Sequence, residues 1–123
     1  MADEITVNVK LAVNKGSLVQ RFESGSLTFD MTGSVAAGGV SSIPTTAAGT
    51  ALNVGSVSTA GWAYLRNTDT TNFVEVGVQV AGTFYPAIKL KAGEAGVVRL
   101  GTNSPYARAN TLAVNLQYFI FQD

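Results

Sequence analysis

The sequence contains 0 cysteine and 0 histidine residues. Without cysteine the chain forms no disulfide bonds and offers no thiol nucleophile. Without either residue it lacks the usual zinc sites and the Cys-His and Ser-His catalytic arrangements. The absence of histidine also removes the side chain that changes charge most readily near neutral pH. A chain of 123 residues is nevertheless long enough to bury a stable core as one domain.

Charge is scarce as well. Charged residues make up 13% of the chain, against about 25% in an average soluble domain. Lys+Arg and Asp+Glu number 8 each, so the formal net charge is +0 and the composition offers no excess of basic residues for a nucleic acid. Uncharged surfaces tend to associate, which favours a protein whose surface is covered in an assembly. The alternative is a neutral monomeric domain kept soluble by its Thr and Asn residues.

Long hydrophobic runs are also missing. The densest apolar stretch, residues 116–121, is far shorter than the roughly 18 residues that span a bilayer. The first residues show no basic segment followed by an apolar one, so we expect neither a secretion signal nor a membrane anchor.

Side-chain alternation of period two dominates the chain and predicts β-strands. In the first run Ile5, Val7, Val9, Leu11 and Val13 alternate with polar or small residues, which predicts a strand with one buried face. Turns at residues 14–16 and 24–25 then predict a three-stranded meander. Pro86 predicts an edge strand or a bulge, and the doubly apolar run 114–121 predicts a central strand or one covered by another subunit.

We therefore predict an all-β fold, a single-domain antiparallel β-sandwich of the jelly-roll type spanning residues 1–123, with eight to ten short strands. An up-and-down barrel is the alternative. Residues 33–50 consist mainly of Gly, Ala, Ser and Thr and bury little apolar area, so we expect a long loop or arm there that neighbouring molecules order. The alternative is a flexible loop with a short strand near residues 40–43.

No pattern in the chain predicts catalysis. Asn67, Asp69 and Thr71 have the spacing that begins a calcium loop, but ordinary turn chemistry explains them, because the loop glycine and the closing glutamate are missing. Asp30, Glu75 and Glu94 do not form a recognisable pair for glycoside hydrolysis. Residues 33–39 contain glycines without a phosphate-binding motif. We predict a protein that is not an enzyme and has no catalytic residue, cofactor or metal ion.

Aromatic and arginine side chains that alternation directs away from the core are the candidates for a protein interface, since both types are enriched at such sites. The candidates are Trp62, Tyr64, Arg66, Tyr85, Arg99, Tyr106, Arg108, Phe119 and Phe121. The alternative for the three arginines is that they lie across a sheet and pair with Glu75 or Glu94.

The second half of the chain carries a resemblance. Its segments are 62–67 (WAYLRN), 73–77 (FVEVG), 84–86 (FYP), 90–94 (LKAGE), 106–109 (YARA) and 116–123 (LQYFIFQD). Together they resemble small virion-associated structural proteins of tailed bacteriophages. The resemblance implies a β-sandwich that is made in the host cytoplasm and assembled into the virion, as a capsid or tail component.

From this resemblance we expect a capsid decoration (cement) protein that stabilises the shell by contacts with the major capsid protein. A homotrimer is the expected assembly, because a cyclic arrangement suits the exchange of an arm between copies. The same physics suits a tail, neck or fibre-linked structural protein. A carbohydrate-binding module, in which Trp62, Tyr64 or Tyr85 stacks on a sugar, is the alternative from another class.

Overall fold

The computed structural model describes residues 4–123, and the first three residues of the predicted domain lie outside this range. The described chain consists of strands, turns and loops without a helix. It divides into two compact units, the first ending at Thr32 and the second comprising Gly33–Asp123. Among residues 4–123, no helix is long and apolar enough to cross a membrane.

The first unit is a two-stranded antiparallel hairpin of β1 (Ile5–Lys15) and β2 (Leu18–Phe29). Its pairing runs from Ile5 opposite Phe29 to Lys15 opposite Leu18. Gly16 closes the turn with φ 56°, a left-handed conformation that glycine adopts without the steric cost of a Cβ. The alternating pattern of the sequence therefore correctly predicted extended strands in this region.

The predicted turn at Ser24 and Gly25 is wrong, because these residues form a bulge inside β2. The register shifts by one residue between Asn8 and Lys10 on the opposite strand, and Gly25 has φ 69°. The Ser24 hydroxyl accepts a hydrogen bond from the Val9 N–H at 2.9 Å, so this N–H keeps a partner where the ladder is interrupted. The predicted three-stranded meander is consequently a pair of long strands.

The second unit contains eight strands, β3 to β10. Their bounds are Ala36–Ile43, Thr50–Ala51, Ala60–Asn67, Val74–Val80, Thr83–Leu90, Ala95–Arg99, Tyr106–Ala109 and Val114–Gln122. They form two four-stranded antiparallel sheets, which we call sheet I (order β3-β10-β5-β8) and sheet II (order β4-β9-β6-β7). The prediction of an all-β, antiparallel fold is thus confirmed.

Both sheets contribute to one hydrophobic core, the arrangement of a β-sandwich. Sheet I supplies Ile43, Ala63, Leu65, Val114, Leu116, Tyr118 and Ile120, and sheet II supplies Val74, Val76, Leu90, Ala107 and Ala109. Strand β10 lies between β3 and β5, which confirms a central position for the run that is apolar on both faces. Pro86 lies on the edge strand β7 beside a register shift, as predicted.

The expected long loop or arm at residues 33–50 is not confirmed, because Ala36–Ile43 pairs with β10 along its whole length. A Cβ built on Gly38 would collide with the backbone oxygen of Tyr118, so the small residues of this strand permit close approach of two backbones. Bulky side chains are scarce in this segment because the two strands approach closely, and their scarcity does not indicate a loop. Residues 44–49 remain a loop.

Candidate functional site

The outward side of sheet I carries most of the predicted interface residues. In β5, Ala63 and Leu65 are buried in the core, so alternation places Trp62, Tyr64 and Arg66 on the other side. In β10, Leu116, Tyr118 and Ile120 are buried in the same way, which leaves Phe119 and Phe121 outside. We call this surface the aromatic face and define it by Val40, Trp62, Tyr64, Val97, Phe119 and Phe121.

Strand register joins these side chains into rows that cross the sheet. Phe119 of β10 lies opposite Tyr64 of β5, and Tyr64 lies opposite Val97 of β8. On the other side of Phe119 the row ends at Gly38. Phe119 remains 38% exposed although it is at the centre of a four-stranded sheet. On the aromatic face Val40, Val97, Phe119 and Phe121 are therefore exposed, whereas Trp62 and Tyr64 are half-buried among them.

Polar groups border the aromatic face. Arg99 forms an ion pair with Asp123 at 2.9 Å, and its guanidinium lies over the Trp62 ring, 5.5 Å from the ring centre. Arg66 is exposed beside Gln117 on the neighbouring strand. An apolar centre with a polar border is the usual composition of a protein interface. Six of the nine predicted candidates thus lie together on this one surface.

The other three candidates lie on sheet II. Arg108 of β9 pairs with Glu75 at 3.0 Å and donates a hydrogen bond to the Ala47 backbone oxygen at 3.1 Å. Its guanidinium also lies 4.7 Å from the centre of the Phe84 ring. Arg108 therefore fastens the loop 44–49 to its own sheet, which matches the structural alternative proposed for it. Tyr106 is half-buried on the same strand, and Tyr85 is exposed on the edge strand β7.

The hairpin of the first unit provides a second exposed apolar surface, which the sequence patterns did not identify. Cross-strand register places Ile5, Val7, Val9, Leu11 and Val13 on one side together with Phe22, Leu27 and Phe29. Alternation predicted that this side is buried, yet Phe22 is 60% exposed and Leu11 is also exposed. Val7 is buried. We call this surface the hairpin face.

The length of the first two strands was the sequence signal that could have revealed the hairpin face. Strands of 11 and 12 residues are longer than the usual five or six of a globular sheet. A two-stranded hairpin has no second layer of its own, so the apolar side chains along strands of this length are not all covered within it.

The predicted turn residues Asn67, Asp69 and Thr71 take part in hydrogen bonds with backbone groups. Asn67 is buried, its amide group donates to the carbonyls of Asn72 and Leu90, and its Oδ1 accepts the Asp69 N–H. The Asp69 carboxylate accepts the N–H groups of Asn72 and Thr71 at 2.6 and 3.0 Å. These bonds, first that of Asn72, lower the pKa of Asp69 below its ordinary value of 3.8. Turn chemistry thus accounts for all three residues.

Two further features bear on chemistry. Within residues 4–123, no group of three or more Asp and Glu side chains is placed to hold a metal ion. A groove of about 420 Å³ lies on the sandwich and is lined mainly by apolar residues, among them Val76, Ile88, Val98, Leu100 and Pro105. Arg99 is the ionisable side chain that lines it, and one cation without an acid or nucleophile opposite does not define a reaction.

Comparison with known proteins finds no family model, no curated protein and no solved structure that matches this chain. The arrangement of its own residues therefore carries the functional argument. Those residues define an all-β protein with two exposed apolar surfaces, the aromatic face and the hairpin face.

Proposed function

We propose that this chain is a non-enzymatic structural subunit of a bacteriophage virion. The specific role we propose is capsid decoration, in which the protein stabilises the shell by binding the major capsid protein after assembly in the host cytoplasm. The observation that carries the proposal is the aromatic face, a contiguous apolar surface at the centre of a sheet. Soluble monomers seldom expose such a surface without a binding role.

The strand order supports the jelly-roll form of the sandwich within this proposal. Strands pair in a nested series, β6 with β7, β5 with β8, β4 with β9 and β3 with β10, as in one long hairpin. The additional pairs of β10 with β5 and β6 with β9 join the turns of that hairpin into sheets I and II. This wrapping of eight strands into two sheets is typical of the jelly roll, an architecture of viral capsid proteins among others.

The energy of shell binding would come from apolar burial. Full burial of a large apolar side chain contributes about 1.5–3 kcal/mol, and the aromatic face offers several such side chains in adjacent rows. The low charge of the chain reduces the desolvation cost of covering its surface. A homotrimer would multiply these contacts, because linked binding sites raise overall affinity well above that of one site.

A binding assay with capsids that lack the protein tests the proposal. The purified chain should bind such shells and raise their melting temperature. Phe119→Asp should weaken binding at least about tenfold, because it places a charge at the centre of the aromatic face. Leu112→Asp is the matched control, since Leu112 is 66% exposed but lies in a loop outside that face. Equal binding by both variants, or no binding by the wild type, would contradict the proposal.

A tail, neck or fibre-linked position would use the same surfaces, and the location of the chain on the particle separates it from capsid decoration. A carbohydrate-binding module would require free aromatic rings, and Arg99 lies over the ring of Trp62. Tyr64 and Tyr85 are the remaining candidates for stacking on a sugar. Binding of the isolated protein to a glycan array, lost in Tyr64→Ala or Tyr85→Ala, would favour that function instead.

A further inference from the structure

The four edges of the sandwich differ in how they are protected against pairing with another strand. Edge strand β4 has two residues, β8 has five and includes Arg99, and β7 carries Pro86 and Lys89. Short length, proline and charge are the features by which natural sheets prevent edge pairing. The fourth edge, β3, has eight residues with neither a charge nor a proline, and among the described strands it pairs with β10 alone.

The hairpin of β1 and β2, in contrast, lacks a third strand within the described chain. A two-stranded hairpin is marginally stable in water, and a third strand or a packing layer is needed for independent stability. Strand β1 is the regular side of the hairpin, because the bulge lies in β2; it carries Lys10 and Lys15 but no proline. The Val9 N–H points across to Ser24, so alternation directs the backbone groups of Asn8, Lys10 and Ala12 to the outer edge. This outer edge has no partner among the described strands.

We propose that β1 of one copy pairs with β3 of a second copy by strand addition. Both strands offer unpaired backbone groups over comparable lengths, 11 residues in β1 and eight in β3. Strand addition of this kind takes its affinity from main-chain hydrogen bonds along an exposed sheet edge. The hairpin gains a third strand, and the four strands of sheet I are extended by the two strands of the hairpin.

Such an exchange is heterologous, because the donor and acceptor edges are different parts of the same chain. Heterologous contacts form a closed ring when the rotation between copies permits it, which accords with the proposed trimer. The inference deepens the homo-oligomer part of the proposed function and does not depend on shell binding. Its test therefore uses purified protein without shells, and its failure would leave the shell-binding assay unaffected.

Two variants block one edge each. Ala12→Pro removes a backbone donor from the outer edge of β1, and it spares the pairing with β2 because the Ala12 N–H points outward. Val40→Lys adds a charge to β3 at a position that is 64% exposed, and therefore leaves the core intact. The control Val80→Lys places the same charge on an exposed valine at the end of β6. Because Val40 also belongs to the aromatic face, Phe119→Asp is a second control: it disrupts that face away from the β3 edge and should still form the wild-type oligomer.

Sedimentation velocity then gives distinct outcomes. The wild type and Val80→Lys should form the same oligomer, and Ala12→Pro and Val40→Lys should each sediment as monomers, with a dissociation constant raised at least about tenfold. An equal mixture of the two monomeric variants should form a heterodimer, because one retains a working β3 and the other a working β1. Formation of that heterodimer also shows that both variants are folded.

Three results would overturn the inference. A wild type that stays monomeric would show that the edges do not pair between copies. A Val40→Lys variant that associates as the wild type does would show that β3 is not the acceptor. A mixture that contains no heterodimer would show that the intact β1 of one variant does not pair with the intact β3 of the other. Hydrogen exchange gives an independent readout, since β3 amides should exchange faster in Val40→Lys than in the wild-type oligomer.

Discussion

At the scale of single residues, Asn67 shows how the loop between β5 and β6 is fixed. It is a fully buried polar residue, and its amide satisfies three backbone groups from different parts of the chain. Its own backbone also pairs with Gly93 and Glu94. One side chain thus connects the end of β5 with the loop that leads to β6 and with the end of β7.

Replacement of Asn67 by Ala should therefore be costly. The change leaves the buried carbonyl of Leu90 and the half-buried carbonyl of Asn72 and N–H of Asp69 without their partner. An unsatisfied buried group costs about 1–3 kcal/mol. We expect the free energy of unfolding, measured in urea, to fall by at least about 2 kcal/mol. The control is Asn115→Ala, on an exposed position of β10, where we expect a change of less than about 0.5 kcal/mol.

Asp69 gives this loop a dependence on pH. Its folded-state pKa lies below the ordinary value of 3.8, so the carboxylate stabilises the fold fully above that value and loses this effect as the pH falls through the folded pKa. The stability difference between the wild type and Asp69→Asn should therefore be largest near neutral pH and shrink as the pH falls below 3.8. Urea titrations across this range measure it, and a difference that is independent of pH would contradict the assignment.

Arg108 illustrates why residue type alone did not decide between an interface and a structural role. The sequence marks it as an arginine beside a tyrosine on a strand, as it does Arg66. The structure distinguishes the two, because Arg108 contacts Glu75 and Phe84 of its own sheet and Ala47 of the loop 44–49, whereas Arg66 is exposed. These partners come from three separate parts of the chain, so their meeting depends on tertiary structure that local patterns do not contain.

We expect Arg108→Ala to release the loop 44–49 from sheet II. The variant loses a charge-assisted pair with Glu75 and a bond to the Ala47 oxygen, which predicts destabilisation of about 1–3 kcal/mol. Thermal unfolding measures the loss. Arg66→Ala, whose side chain is exposed, should change the melting temperature little, and equal losses in both variants would argue against this role.

At the scale of elements, alternation predicted the strands well and their partners less well. Period two identified both strands of the hairpin, but it cannot state whether an apolar side is covered by the same chain or by another molecule. Leu11 was therefore assigned to a buried face and is exposed, as is Phe22 on the same side of the hairpin. At residues 36–43 the error was the opposite one, because a strand was predicted to be a loop. The small residues there are typical of loops, but in the structure they pair closely with β10.

Gly38 tests the account of β3. A side chain there would collide with the backbone of β10, so Gly38→Ala must displace one strand from the other. We expect a loss of at least about 2 kcal/mol in the free energy of unfolding. The control is Ser42→Ala on the same strand, at an exposed position, and it should be nearly neutral. A neutral Gly38→Ala would contradict the close approach.

At the scale of the whole molecule, two properties agree. Charge is low throughout the chain, and the structure presents two apolar surfaces that its described residues do not cover. The composition alone predicted that part of the surface is covered by other subunits. It could not locate that part, because the aromatic face combines residues from four strands that are distant in sequence.

Association should consequently be insensitive to ionic strength. Contacts built from apolar burial and backbone pairing are little screened by salt, whereas contacts between charges weaken as the Debye length shortens. We expect the dissociation constant of the wild-type oligomer to change less than about threefold between about 0.05 and 0.5 M NaCl. Sedimentation at several salt concentrations measures it, and a steep loss of association would point to charged contacts instead.

We propose that this chain is a virion subunit whose apolar surfaces are covered by its neighbours. Cryo-electron microscopy of intact bacteriophage particles that contain the chain is the decisive measurement. If the proposal is right, density for the sandwich lies on the capsid, with Phe119 and its row buried against the major capsid protein. Its absence from purified particles, or a bound chain whose aromatic face remains open to solvent, would refute the proposal.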